Sequence, residues 1–233
     1  MPSSGNPLKY LTQHVQAKAI QVFRQPEPDV VYCIGVDTAE GLTWEGKSDA
    51  CSVHVLADRG DHGEEVCHLH GRDWDTHTFG QVVQKLGYWY NEGILVVERN
   101  NHGHAVLDSI LKSGDGYSLL KKVGTKGVYC HHDWDNDRQR ERTMRPGFPT
   151  NVKTKVKALD DLNDALLQGE LHLRSARTID ELMRFVHLPG GKAGGEAGSH
   201  DDRVMSLAMA VVGLRIPKKR TKMTSKRKIK MGA

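Results

Sequence analysis

The stretch Ile94-Leu95-Val96-Val97-Glu98-Arg99-Asn100-Asn101 is a short apolar, β-branched run that stops at an acid and then turns polar. A continuous apolar run of this length fits a strand covered on both faces, the usual state of a parallel strand in an α/β sheet. In such sheets, functional groups gather just past the carboxyl ends of the strands. Glu98 is therefore either a solvated strand cap or one member of a site, and the stretch alone leaves both open.

A second apolar run, Val30 to Asp37, also ends in an acid and is followed by the turn-prone Thr38-Ala39-Glu40-Gly41. Ala50 to Ala57 and Glu64 to Gly71 read as two further strands with a short polar connection, so the three form an antiparallel meander. Thr76 to Asn91 carries Phe79, Val82, Val83, Leu86 and Trp89/Tyr90 at helical spacing, with Gly93 where a C-cap would sit. A helix there makes a crossover that lays Ile94–Glu98 parallel to Val30–Asp37. Neighbouring strands about 4.8 Å apart would bring Asp37 and Glu98 side by side.

Beyond Asn101-His102-Gly103 a helix through Val106, Ile110 and Leu111 is expected, whereas Gly114 to Pro149 shows little order. Thr150 or Asn151 can cap a helix with Val152, Val156, Leu159, Leu162 and Leu166 on one face, ended by Gly169. Leu171-His172-Leu173 suits a short strand, and Thr178 is placed to cap a helix through Leu182, Met183 and Phe185-Val186. A glycine-rich loop, Gly190 to Gly198, precedes Ser199-His200-Asp201-Asp202 at the start of a last apolar helix. Asp201 and Asp202 suit capping and dipole compensation, but one acid would suffice for that.

With 233 residues, 38% hydrophobic and 27% charged, the chain fits one sizeable α/β domain over residues 30–216. No apolar run approaches the roughly 20 residues that span a bilayer, and the amino terminus has no signal-peptide core. The reading is a soluble protein with no membrane partner. Residues 1–29 look like a linker containing a short helix with Leu11, Val15, Ala19 and Val22 near one face. Cys33, Cys51, Cys67 and Cys130 are isolated and lack zinc spacing. His68/His70, His102/His104 and His131/His132/Asp133 are weak metal candidates without a convincing second ligand pair. The net charge of +4 hides an asymmetry, because eight lysines and arginines and no acid follow residue 217, leaving −4 on residues 1–216. Residues 217–233 therefore read as a disordered basic tail suited to a polyanion such as nucleic acid.

Gly41-Leu42-Thr43-Trp44-Glu45-Gly46-Lys47-Ser48 matches the phosphate-cradling GxxxxGK[ST] pattern, yet the segment after it alternates like a strand. A phosphate loop needs a helix there, with its amides and dipole aimed at the phosphate. The string reads better as a hairpin loop whose Lys47 could touch a substrate backbone.

Asp37, Glu98, Asp201 and Asp202 make a stronger case. Clustered carboxylates repel one another unless cations neutralise them. Oxygen-rich sites suit Mg²⁺ or Mn²⁺, and two such ions about 4 Å apart can activate water and stabilise the leaving oxygen in phosphodiester hydrolysis. The motifs Gly35-Val36-Asp37-Thr38-Ala39-Glu40-Gly41, Val97-Glu98-Arg99-Asn100-Asn101-His102-Gly103 and His200-Asp201-Asp202-Arg203-Val204-Met205-Ser206-Leu207-Ala208 resemble, in order, the three acidic motifs of the nuclease domain of tailed-bacteriophage terminase large subunits. Gly147-Phe148-Pro149-Thr150 with Lys155 is similar to a further family motif.

The resemblance implies a ribonuclease-H-like fold: a mixed five-stranded sheet, its first three strands antiparallel and the others parallel, flanked by helices. It implies a metal-dependent endonuclease that cleaves double-stranded DNA concatemers during packaging in the host cytoplasm. Asp37 would bridge two Mg²⁺ or Mn²⁺ ions, Glu98 would bind one, and Asp202, with or without Asp201, would complete the set. Lys47, Arg99, Lys153, Lys155, Lys218, Lys219 and Arg220 are candidate DNA contacts. The implied partners are the packaging ATPase domain, the small terminase subunit and the portal; the ATPase itself has no counterpart in this sequence, which reads as the nuclease domain alone. A junction resolvase or integrase-like enzyme of the same fold, or a non-catalytic DNA-binding module, would share much of this pattern. Removing residues 217–233 is expected to weaken DNA affinity and flatten its salt dependence, as fewer phosphates are neutralised; unchanged binding across a salt titration would refute the tail's role.

Overall fold

Strand β2 (Val31–Asp37) sets the frame, because its side chains alternate between two cores. Tyr32, Ile34 and Val36 enter one core, and Cys33 enters the other. The computed structural model describes residues 19–38, 50–72, 74–114, 116–120, 124–135, 140–188, 192–195 and 201–218, without the side chains of 101, 132–135, 140–143, 186–188 and 192–195.

β2 pairs antiparallel with β3 (Cys51–Asp58), which pairs antiparallel with β4 (Gly63–Gly71). On its other side β2 pairs parallel with β5 (Ile94–Val97), in register Val36 to Val97, and β5 pairs parallel with β6 (Gly127–Val128). β2 to β5 are the four strands read from the sequence, and β6 extends the parallel part from a segment in which none was expected. Among the described residues the sheet has seven strands, because two short ones join the outer edge at β4. β1 (Ile20–Val22) runs antiparallel to β4, and β9 (Leu171–His172) runs parallel to it. Val22 thus lies in an edge strand and not on a helix face, so the segment expected to be a linker contributes to the sheet from residue 20 onward. The helix proposed upstream of it falls mostly outside the described residues.

Helix α1 (Thr76–Trp89) and helix α2 (Asn101–Lys112) cover one face of the sheet. Phe79, Val82, Val83 and Leu86 of α1 and Val106, Leu107 and Ile110 of α2 join Ile34, Val36, Leu95 and Val97 in one core. Asp75 caps α1 by accepting from the Thr78 amide at 2.9 Å. At its far end Asn91 and Glu92 take the left-handed conformation, with φ of 57° and 56°. Gly93 is required for a different reason than a C-cap: a Cβ there would lie 2.7 Å from the Tyr32 carbonyl oxygen.

The opposite face is covered by α3 (Val152–Leu167) and α5 (Asp202–Arg215), with α4 (Ala176–Met183) between them in sequence. Asn151 caps α3 in a reciprocal box with Thr154. Ser175, not Thr178, caps α4, accepting from the Thr178 amide at 3.2 Å. α4 ends at Met183 and does not run on into Phe185-Val186, because β10 (Phe185–Leu188) begins there and pairs antiparallel with β11 (Lys192–Gly195) from the glycine-rich segment. An alternating aromatic and β-branched sequence followed by Pro189-Gly190-Gly191 favours a hairpin over another helical turn. The segment that looked featureless in sequence contains β6 and a second hairpin, β7 (Cys130–Asp135) with β8 (Arg140–Pro146).

α5 is the central helix. From Val204 to Val211 all its residues are buried, as expected of a helix that is apolar on every side. It crosses β2 where that strand has no side chain: a Cβ on Gly35 would stand 2.0 Å from the Ser206 carbonyl oxygen and 2.3 Å from the Ala210 nitrogen. Among the described residues no helix is long and apolar enough to cross a membrane. Gly35→Ala is expected to cost about 3 kcal/mol, since the clash is with helix backbone that has no rotamer to change; a urea midpoint within error of wild type would show that α5 does not sit this close.

Candidate active site

The strand parity that buries Cys33 and Ile94 on the α5 side also places Asp37 and Glu98 there. Asp37 ends β2 two residues beyond Gly35, and Glu98 follows β5 two residues beyond Val96, a member of the α5-side core. The ladder continues past the named strand: the Glu98 amide donates to the Val36 carbonyl at 2.9 Å. Glu98 is buried, and Asp37 is half-buried. Asp202 occupies the first turn of α5 and is also buried. Residues 165 positions apart in the sequence therefore meet at one end of the sheet.

Their mutual repulsion is visible in Asp37. Burial, the neighbouring Glu98 charge, a hydrogen bond shared with Glu98, and the charges of Asp202 and Asp201 together hold its carboxyl well above the usual carboxylate range. A cation among these groups would reverse that balance by favouring the charged forms. Oxygen donors of this kind fit a hard divalent ion, and Asp37, Glu98, Asp202 and Asp201 are the residues that could hold it. Among the described residues no three carboxylate, histidine or cysteine side chains already stand in closed ligand geometry. Of the weak histidine candidates, the side chains of His132 and Asp133 lie outside the described residues, and no metal-holding group forms from the others among the described residues.

Several neighbours shape the acids. The Asn100 amide donates to Glu98 Oε2 at 2.8 Å and to the Thr38 carbonyl at 3.1 Å. Its Oδ1 accepts from the Gly103 amide at 2.7 Å and from the buried Thr38 hydroxyl at 2.9 Å. One side chain thus caps α2 and fixes Glu98. Asp202 Oδ2 accepts from the Ala50 amide at 3.4 Å and lies 3.6 Å from His70 Nε2. Lys155 Nζ lies 3.3 Å from Asp201 Oδ2.

Capping does not account for the acid pair opening α5. Asp201 holds the N-cap position yet makes no side-chain cap bond. The amides it would normally take go to Glu181, whose Oε1 accepts from Arg203 at 2.7 Å and Val204 at 3.2 Å.

The proposed DNA contacts separate. Arg99 follows Glu98, and its Nη1 is buried without a hydrogen-bond partner among the described residues. Lys153 is exposed on α3, and Lys155 is drawn to Asp201. Lys218 pairs with Asp58 at 2.7 Å; Asp58 faces Val31, at the end of the sheet opposite Asp37. Lys47, Lys219 and Arg220 lie outside the described residues, as does the rest of the tail. The GxxxxGK[ST] string also lies there, but the chain passes from it into β3, a strand where a phosphate loop would need a helix.

Asn100, Thr38 and Glu181 were not singled out in the sequence, and His70 was noted only as half of a weak metal-ligand pair. Asn100 carried an available signal, an N-cap residue ahead of an apolar helix pattern. Glu181 carried none, and nothing local tied His70 to Asp202, because only tertiary packing brings them to the start of α5.

A sequence model of the terminase RNaseH-like domain matches residues 34–214. The chain belongs to that family. The match spans all three acidic motifs, so the terminase resemblance and the ribonuclease-H-like fold are borne out. Among solved structures, this terminase domain is similar to the large terminase nuclease of the thermophilic phage G20c, solved with bound magnesium. The identity is 18% over 83% of this chain and 87% of that one, with a TM-score of 0.59. The large terminase nuclease domain of Thermus phage P74-26 is similar at 19% identity over 82% and 84% of the two chains, with a TM-score of 0.54.

In this terminase domain Asn100→Ala is expected to cost about 2 kcal/mol of stability, because the α2 cap and the half-buried partner of Glu98 are lost together. Urea unfolding measures it, and an unchanged midpoint would show that neither bond contributes in solution.

Proposed function

We propose that this chain is a divalent-cation-dependent endonuclease that cuts double-stranded DNA during phage genome packaging. The observation that carries the reading is the meeting of Asp37 and Glu98 with Asp202 at one sheet end, with the acids at the start of α5 released from capping. The magnesium-bound G20c structure and its cobalt-bound counterpart support a cation requirement. Mg²⁺ or Mn²⁺ bound as a pair would supply the activated water and the stabilisation of the leaving oxygen.

The chain's own residues do the rest. Asp37, which shares a hydrogen bond with Glu98 and feels the charges of Asp202 and Asp201, would hold the ions together with those three acids, and Asp201 stands beside Lys155. Asn100 holds Glu98 Oε2 and so fixes which of its oxygens faces the site. Arg99, next to Glu98 in the chain, has a buried guanidinium nitrogen without a hydrogen-bond partner among the described residues, a donor suited to a DNA phosphate. Lys155 gives a positive charge beside Asp201, and Lys153 is exposed on the same helix. The packaging ATPase, the small terminase subunit and the portal are the partners this role requires, in the cytoplasm of the infected host.

Asp37→Ala, Glu98→Ala and Asp202→Ala are each expected to lower Mn²⁺-dependent plasmid nicking by at least about a hundredfold while circular dichroism stays native. Full nicking by a chelator-treated sample, or by any of the three variants, would overturn the proposal. Preference for a four-way junction over a linear duplex would favour a resolvase instead.

A further inference from the structure

Glu181 lies in the last turn of α4, where the helix dipole disfavours an acid, and it is buried. What holds it there is the start of α5. Its Oε1 accepts from the amides of Arg203 and Val204, and its Oε2 accepts from Arg203 Nη1 at 2.8 Å. Those amides occupy the second and third positions of α5, the pair that an N-cap side chain normally satisfies. The N-cap residue is Asp201, one of the best capping types, and it makes no such bond. Its carboxylate lies beside Lys155.

α4 is itself fixed by a carboxylate at its other end. Glu65 Oε2, from β4, accepts from the amides of Arg174 at 2.6 Å and Ser175 at 2.8 Å. Thr178 of α4 shares a 3.0 Å hydrogen bond with the buried His54 of β3. The start of α5 is thereby tied to the sheet through Glu65, α4 and Glu181, with no contribution from Asp201.

We infer that Glu181 is a positioning residue for the acid site: by taking the Arg203 and Val204 amides it keeps the Asp201 carboxylate out of the N-cap and available to a bound cation. The inference rests on the cation-site reading above. Without Glu181 two helix-start amides lack a partner, and Asp201, already in the N-cap position, satisfies them by turning away from the site.

Calorimetric titration of the full chain with Mn²⁺ tests this. Glu181→Ala is expected to weaken Mn²⁺ binding by about tenfold, the scale typical of groups that orient metal ligands. Asp201→Ala should weaken it by a similar factor, and adding Asp201→Ala to Glu181→Ala should have little further effect, because Asp201 is already withdrawn. Glu181→Gln keeps an amide acceptor and should restore most of the affinity. Glu181→Asp, one methylene shorter, should behave like the alanine variant and stands in for it if that variant does not fold. Wild-type affinity in a folded Glu181→Ala or Glu181→Asp protein, or fully additive losses in the double variant, would overturn the inference. If Asp37→Ala leaves Mn²⁺ binding intact, the cation-site reading fails instead.

Discussion

The contact of α5 with β2 at Gly35 is the constraint on which the rest of the molecule depends. Helix backbone meets strand backbone there with no intervening side chain, which fixes both the height and the sliding position of α5 over the sheet. Two residues further along the strand is Asp37, and one turn back along the helix from Ser206 is Asp202. A helix held farther out by an ordinary side chain would carry its first turn, and the acids in it, away from the strand ends.

That close packing concentrates negative charge where water is scarce. Asp37 shows the cost, since burial and its acidic neighbours oppose its ionisation. Structural pairing is the usual answer to a buried acid, and this fold uses it elsewhere. Glu64 is surrounded by Arg24, Arg59 and Arg174, and these partners outweigh burial and hold its carboxyl down at about 2. Glu65 is satisfied by helix-start amides and lies 3.4 Å from His54. Glu98, just past the end of β5, receives a neutral amide from Asn100, which orients without neutralising. The acids on β4 are thus held by cations or by helix-start amides, whereas Asp37 is faced mainly by other acids.

Much of this was legible in the sequence because it rests on local periodicity. The apolar runs ending at Asp37 and Glu98, the meander between them and the crossover helix each depend on spacing within a few residues. Their parallel pairing follows from chain connectivity. Where the local signal was weak or mixed, the reading departed from the structure. Phe185-Val186 continues a helical pattern but belongs to a hairpin, and Val22 suits a helix face yet pairs with Cys67 at the sheet edge. In both cases strand pairing at a distance outweighs a helical preference of a few tenths of a kcal/mol per residue.

The sequence by itself determined the three-stranded meander, the crossover to β5 and the acids that close the two apolar runs, since these follow from alternation, chain direction and short motifs. Tertiary structure alone decided what those acids are free to do. Whether Asp201 serves as a helix cap or as part of a site depends on Glu181, twenty residues earlier and across a hairpin, and no periodicity links the two. Whether Lys218 stands near the acids depends on the length and direction of α5, which carry it to Asp58 at the opposite end of the sheet. Both outcomes are set by competition among partners for the same few hydrogen bonds and charges, and that competition exists only once the chain has folded.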